Sequence, residues 1–220
     1  MTLGVLLALG AQQLVEALNQ SRFKVEARSA IEGEIARNLD AFRRRSEVQS
    51  CVDSRLLEIE ALLTSTQLGA SLPRPLWIGR PQVWSIAESR LQAATSGART
   101  ALLSTEQQAG YSEVYNNVRI LEHSQDIEQL AWARLRALET LPSLDARSRA
   151  DLIEALHLAR YANFRIVVAA TQSRERAEAV GVKPSLSPYG EGSRSVCIPI
   201  NTTRERALEL TTKGRFLAEP

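Results

Sequence analysis

The chain has 220 residues, of which 44% are hydrophobic and 24% are charged, and its formal net charge is +2. These values are typical of one folded domain with appendages, and the small charge argues against a nucleic-acid-binding protein. Two cysteines exclude a disulfide-dense scaffold and any four-cysteine metal site. We therefore expect no nucleic acid among the partners.

The first informative segment is the apolar run from Leu3 to Ala11. As a helix, this run covers about half of the ~30 Å hydrocarbon core of a membrane. It is either a buried N-terminal core helix or the second half of a transmembrane helix that begins upstream of Met1. We favour the second interpretation because polar residues follow the run directly, beginning with Gln12, as they do where a helix leaves a membrane.

The same helix is predicted to continue to about Arg44. Its apolar residues recur at spacings of three and four, which is typical of one helix face: Phe23, Ala27, Ile31, Ile35, Leu39 and Phe42. The triplet Arg43, Arg44 and Arg45 lies near the helix C-terminus, where cations complement the helix dipole. Because no aromatic residues interleave with these arginines, we interpret the triplet as a solvated face rather than a nucleic-acid patch.

Two shorter helices are predicted next, separated by a linker. The second helix is expected from Val48 to Thr66, and prolines then exclude a continuous helix over residues 69–81. Within this linker, Trp77 is expected to plug the bundle core. A third helix is predicted from Pro81 onward, with Trp84, Ala87, Leu91 and Ala94 on one face.

A fourth helix has a clear start. Ser104 and Gln107 have the spacing of a capping box, so the helix should begin near Thr105. Its apolar stripe runs from Tyr111 through Leu121 and is expected to continue with Ile127, Leu130, Leu135 and Leu138.

The fifth helix has the clearest end in the sequence. It is predicted from Asp145 to Val180, and it should stop at Gly181 in a Schellman motif that Val182 completes. A loop-rich tail follows. There, Thr202 and Glu205 predict a second capping box, which opens a short last helix that Gly214 should end.

Together these elements predict an all-α fold. A long N-terminal helix, the remnant of a membrane span, runs into a multi-helix bundle, which a loop-rich C-terminal tail and a short terminal helix follow. The expected boundaries are residues 1–18 for the partial membrane-anchor helix, 19–181 for the bundle and 182–220 for the tail.

Glu154 and His157 are the weak candidates for a metal site. A Glu-x-x-His pair places two ligands on one helix face, as in carboxylate-bridged di-iron bundles. Such a site needs a second histidine-bearing motif, and His123, the other histidine, has Ile120 at the required offset. We therefore expect a polar pair on a helix flank, with no metal, no cofactor and no catalytic residue.

Cys51 and Cys197 are the remaining pair of interest. They are either two independent buried thiols or one disulfide that ties the C-terminal tail to the second helix. The tail offers few apolar groups to hold it, and a domain outside the cytoplasm would be in an oxidising compartment, so we favour the disulfide.

The chain also resembles a group of uncharacterised bacterial proteins of unknown function. The likeness rests on the segments GVLLALGAQQLVEAL and AIEGEIARNLDAF, a cysteine soon afterwards, a tryptophan-containing segment before the middle helices, and a long late helix that ends at a glycine. In that group a single N-terminal membrane helix carries an all-helical domain. The resemblance implies a single-pass membrane protein. Together with the disulfide that we favour, it leads us to expect a protein of the inner (cytoplasmic) membrane, with its helical domain outside the cytoplasm, in the periplasm.

These observations favour a non-enzymatic, membrane-anchored helical interaction or scaffold module. Its expected partners are the membrane, through the N-terminal helix, and either another protein or a second copy of itself. The alternatives are a metal-dependent or hydrolytic enzyme with a site in the bundle core, and a soluble cytoplasmic helical bundle.

Overall fold

A computed structural model describes residues 2–97, 99–185 and 194–212. Most of these residues lie in six α-helices: α1 Thr2–Glu47, α2 Gln49–Ser65, α3 Ser89–Ser96, α4 Thr105–Leu135, α5 Ala146–Ala179 and α6 Arg204–Thr212. Short 3-10 helices lie at Arg99–Leu102, Arg136–Glu139 and Ser195–Cys197. The described residues form no strand, only an isolated bridge between Ser71 and Ser143. The predicted all-α fold, with its long first helix, is therefore confirmed.

The predicted ends of α4 and α5 are also confirmed. The Ser104 hydroxyl accepts a hydrogen bond from the Gln107 backbone, and the Gln107 side chain accepts one from the Ser104 backbone. At the same end of the bundle, where α5 ends, Gly181 has a φ of 80°, which a glycine adopts without strain. The Val182 N–H then donates to the Ala177 carbonyl over 2.8 Å, which completes the Schellman motif.

The interior consists of two hydrophobic clusters stacked along the antiparallel pair α4 and α5. The first core joins α1 to the first half of α4 and the second half of α5, and it includes Ile31, Ile35, Tyr111, Val118 and Ile166. The second core joins α2 to the end of α4 and the first half of α5, and it includes Ile59, Leu63, Trp132, Leu135 and Leu156. The bundle thus has two halves that share α4 and α5.

The third helix is shorter than predicted. Residues 79–88 adopt neither helix nor strand, and α3 begins only at Ser89. The prediction from Pro81 onward was wrong because hydrogen bonds from distant side chains occupy the backbone groups that a helix would use internally. We call residues 79–88 the strap.

Three side-chain amides hold the strap against the bundle. Gln129 donates to the Pro81 carbonyl over 3.2 Å. Gln125 accepts from the Trp84 N–H over 2.9 Å and donates to the Trp84 carbonyl over 3.2 Å. Asn38 contacts both backbone groups of Ala87 in the same way, over 3.1 and 2.7 Å. The contacted residues are spaced by three, the repeat of a polyproline II helix, which has no internal hydrogen bonds.

The second part of the apolar stripe predicted for α4 is confirmed at Leu135 and Leu138, which are fully buried, but it is wrong at Leu130. Leu130 is 68% exposed, and the helix face buried at this level carries polar residues instead, namely Ser124, Gln125 and Glu128. The buried face of α4 is therefore not apolar along its whole length. The stripe is interrupted by three polar side chains, and each of them has a hydrogen-bond partner. The Ser124 hydroxyl donates to a backbone carbonyl of α4, Gln125 accepts from the Trp84 N–H, and Glu128 accepts from Arg45.

The C-terminal part of the described chain packs on the second half of the bundle. Trp77 is buried, as expected, but it packs against Ile198 and Ala207 in a small third cluster rather than in either core of the bundle. The start of α6 is one residue later than predicted, because the Thr203 hydroxyl, not that of Thr202, accepts from the Arg206 N–H over 3.3 Å. Gly214, the predicted end of this helix, lies outside the described residues.

The strap provides the first testable prediction. Asn38→Ala removes two hydrogen bonds to Ala87 and should lower the free energy of unfolding by about 1–3 kcal/mol. Asn19→Ala, at an exposed position of α1, is the matched control and should change it by less than about 0.5 kcal/mol. Urea unfolding measures both. Equal effects of the two substitutions would contradict the role of Asn38.

Candidate functional site

Glu154 and His157, the weak metal candidates, both lie on the exposed side of α5. Glu154 is 68% exposed and forms an ion pair with Arg134 of α4 at 3.5 Å. Across the part of the chain that the structure describes, no group of three or more histidine, cysteine or acidic side chains is arranged to hold a metal ion.

Cys51 and Cys197, by contrast, are brought together. They form a disulfide between α2 and the 3-10 helix of the tail, with a Cα–Cα distance of 4.9 Å across a sequence separation of 146. The predicted pairing is confirmed.

The tail is held by more than this bond, contrary to the expectation that it has few apolar groups to grip the bundle. Val196 and Ile198 are fully buried. The indole N–H of Trp77 donates to the Ser195 carbonyl over 3.0 Å, and the Trp77 backbone N–H donates to Ile200 over 2.7 Å. Residues 194–200 are therefore part of the second half of the bundle.

A buried arginine completes this attachment. Arg55 of α2 donates to the carbonyl of Trp77 over 2.7 Å and to that of Ile198, and it pairs with Glu58 at 2.7 Å. Burial lowers the pKa of Arg55 from its ordinary value, although Glu58 opposes this effect. Gly79 lies beside the same junction, and a Cβ at that position would collide with the Ser195 carbonyl. The chain thus closes tightly around α2.

The prediction that the arginine triplet at the end of α1 forms a solvated face is wrong for two of its members. Only Arg43 is exposed, whereas Arg44 and Arg45 are buried. Arg44 is buried, bonded to Asp40 at 3.0 Å, and lies over the Trp84 ring of the strap at 5.6 Å from its centroid. Burial alone would raise the pKa of Asp40, but hydrogen bonds from Arg43 and Arg44 outweigh it and hold the pKa below its usual value.

Arg45 lies deepest, at the junction of the two cores. It is 3% exposed and pairs with Glu128 of α4, which is completely buried, at 2.8 Å. The same guanidinium donates to the side-chain carbonyl of Asn163 in α5 over 2.7 Å and to Gln49 over 3.0 Å. Asn163 in turn donates to Asp53 of α2 over 3.0 Å. One polar network therefore connects the four longest helices.

Burial perturbs the carboxyl group of this network. It raises the pKa of Glu128 from its ordinary value, and the positive charge of Arg45 works against that rise. One oxygen of Glu128 and the Nε of Arg45 lack a partner within the structure. The pair is thus a costly arrangement that depends on both charges being present.

A sequence signal for this network existed. Glu128 occupies a position of helical spacing between Leu121 and Leu135, so a single acidic residue stands within an apolar stripe. A charge at such a position needs a buried counter-charge. The sequence does not show which arginine supplies it.

A second unusual feature is the first part of α1. Every side chain from Gly10 to Glu26 is exposed, whereas Ala27, Ile31 and Ile35 are buried in the first core. We call residues 10–26 the stalk. At about 1.5 Å per residue, the stalk extends about 25 Å from the bundle.

The described residues include no helix that is both long enough and apolar enough to cross a membrane.

The exposed side of α5 carries large apolar residues, although part of its buried side is built from alanines. Phe164 is 63% exposed and Tyr161 is 52% exposed, while alanines such as Ala155, Ala159 and Ala162 face the interior. Alanines at the contact allow α4 and α5 to approach closely. Tyr161 and Phe164 lie on the surface, where adjacent large apolar residues are typical of proteins that bind other proteins.

Comparison with known proteins gives no match: no family model fits the chain, and no curated protein or solved structure is significantly similar to it.

The disulfide makes a testable contribution to stability. Closing a loop of this length contributes roughly 5 kcal/mol in the chain-entropy treatment, and removal of a native disulfide typically costs about 2–5 kcal/mol. We expect Cys51→Ser/Cys197→Ser to lose stability in this range while the far-ultraviolet circular dichroism spectrum remains helical. Mass spectrometry of a non-reduced digest, from protein taken from its native compartment, should show the linked peptides. Two freely alkylated thiols would contradict the pairing.

The buried ion pair should behave unlike a surface pair. Arg45→Met or Glu128→Leu alone leaves an uncompensated buried charge and should cost about 3–5 kcal/mol. The double variant should lose less than either single variant. Guanidinium unfolding measures the coupling.

The matched control for this cycle is Arg176–Glu113, an exposed pair that also joins α4 and α5, at 2.7 Å. Its coupling should be below about 1 kcal/mol. Additive effects of the Arg45 and Glu128 substitutions would contradict the importance of the buried pair.

Proposed function

We propose that this chain is a non-enzymatic helical module that is anchored to a membrane by the N-terminal end of α1 and interacts there with another protein or with copies of itself. The observation that carries this proposal is the stalk: α1 leaves the bundle at Ala27 and extends outward as an exposed helix. In the sequence, the apolar run Leu3–Ala11 leads directly into the stalk.

The physical argument concerns the cost of leaving apolar side chains in water. The run contains four leucines and a valine and no polar side chain, and transfer of such side chains into hydrocarbon is favourable by about 1–3 kcal/mol each. Residues 10–26, which follow this run in the same helix, are exposed and extend away from both cores of the bundle. A single-pass anchor at the start of the helix therefore accounts for an apolar run at this place in the sequence better than a place in the core.

The disulfide supports the side of the membrane that we propose. Stable disulfides form in oxidising compartments and are rare in the cytoplasm. We therefore place the bundle outside the cytoplasm, with α1 passing through the inner membrane. The exposed apolar residues of α5, chiefly Tyr161 and Phe164, support an interaction role.

The anchor can be tested by flotation with phospholipid vesicles. The chain should float with neutral vesicles, and Leu6→Lys/Leu9→Lys should reduce the floating fraction several-fold, because lysine within hydrocarbon costs about 2.5–3.5 kcal/mol per residue. Gln12→Lys/Gln13→Lys adds the same charge just beyond the apolar run and is the matched control. If the wild-type chain stays in the dense fraction, or if both variants float like it, the anchor is wrong.

A further inference from the structure

We infer that the stalk is a self-association surface, which pairs with the stalk of a second copy in parallel orientation. The surface consists of Ala11, Leu14, Leu18 and Val25, which we call the stalk stripe. Leu14, Leu18 and Val25 are each 58–64% exposed. This inference rests on the proposed membrane anchor for its parallel orientation, and it names the partner.

The four residues share one side of the helix. Their spacings are three, four and seven, the heptad pattern by which two helices pack along a common seam. An exposed helix of this length is marginal in water without tertiary packing, because helical stability in proteins comes mainly from a buried face. The stalk therefore needs a partner for its apolar side.

The stripe also points away from the bundle. At about 100° per residue, its mean direction differs by roughly 130° from that of Ala27, Ile31 and Ile35, which α1 buries in the first core. A second stalk can therefore lie along the stripe with both bundles on the outside. The stripe ends at Val25, well before Ala36, whose carbonyl accepts a hydrogen bond from the Ser185 N–H over 2.9 Å.

The charge distribution favours a second copy over a different partner. A parallel two-fold axis places each residue against its own counterpart, so any charge on the seam would face the same charge. The stripe contains none: Glu16 and Lys24 lie on other sides of the helix, and Arg22 lies at the edge of the stripe. An uncharged stripe is complementary to itself.

The size of the seam explains how the anchor contributes. Stable interfaces use about 20–30 residues on each side, whereas the stalk stripe offers only Ala11, Leu14, Leu18 and Val25. The seam is therefore too small to hold a dimer in dilute solution. Tethering raises the effective concentration of the second stalk to about the millimolar range, which weak contacts can exploit. We expect dimers on a membrane surface and monomers in solution.

Single cysteines provide the test. The two native cysteines are bonded to each other, so an introduced cysteine is the only free thiol. The variants that place a cysteine on the stripe are Leu14→Cys, Leu18→Cys and Val25→Cys. Each is attached to nickel-chelating vesicles through an N-terminal histidine tag and is then treated with a short bismaleimide. Gln20→Cys, on another side of the stalk, is the matched control.

We expect each stripe variant to form several-fold more covalent dimer than Gln20→Cys on vesicles, and little dimer in solution. Leu14→Gln/Leu18→Gln added to Val25→Cys should reduce the dimer several-fold without changing the thermal unfolding of the bundle. Equal cross-linking of all positions, or none, would overturn the inference, and the stripe would then contact lipid or another protein. In a mixture of Leu14→Cys and Val25→Cys chains, cross-links between the two variants and none between identical chains would show an antiparallel pair. That result would also overturn the inference.

The artificial tether separates this inference from the proposed function. If the chain fails to float with plain vesicles but its stripe variants cross-link on nickel vesicles, the anchor is wrong and the seam is right. If the chain floats but the variants do not cross-link, the anchor is right and the seam is wrong.

Discussion

The buried pair of Arg45 and Glu128 is the interaction on which the arrangement of the bundle depends. A charge that is removed from water must find a counter-charge, and here the two partners come from the end of α1 and the middle of α4. Asn163 and Asp53 extend the contact to α5 and α2. Apolar packing in the two cores tolerates small shifts, whereas this network fixes the point at which α1 ends and α2 begins.

Polar side chains also determine the path of the segment between α2 and α3. The strap has no regular secondary structure, yet the amides of Asn38, Gln125 and Gln129 bind its backbone at every third residue. In the same region Glu34 of α1 accepts hydrogen bonds from the Ser89 hydroxyl and the Arg90 N–H, and so caps α3. Amides and carboxylates on α1 and α4 thus replace the internal hydrogen bonds that a helix would have made.

The two halves of α1 serve different purposes. From Ala27 onward the helix contributes Ile31, Ile35 and Phe42 to the first core and ends in the buried network. Before Ala27 it makes an exposed stalk with an apolar stripe on a different side. Because one continuous helix links both halves, the orientation of the bundle relative to the stalk is fixed. A rigid connection of this kind is suited to a module that presents its surface at a set distance from a membrane.

The sequence by itself determined the helical class, the start of α4 and the end of α5, because Ser104 with Gln107, and Gly181 with Val182, act within a few residues of each other. It supplied the two cysteines but left free thiols and a disulfide both open. Tertiary structure alone decided the partner of Arg45, which is 83 residues away, and the strap contacts of Asn38, 49 residues away. Local geometry follows from spacing along the chain, whereas burial of a charge or an amide depends on which distant helix covers it.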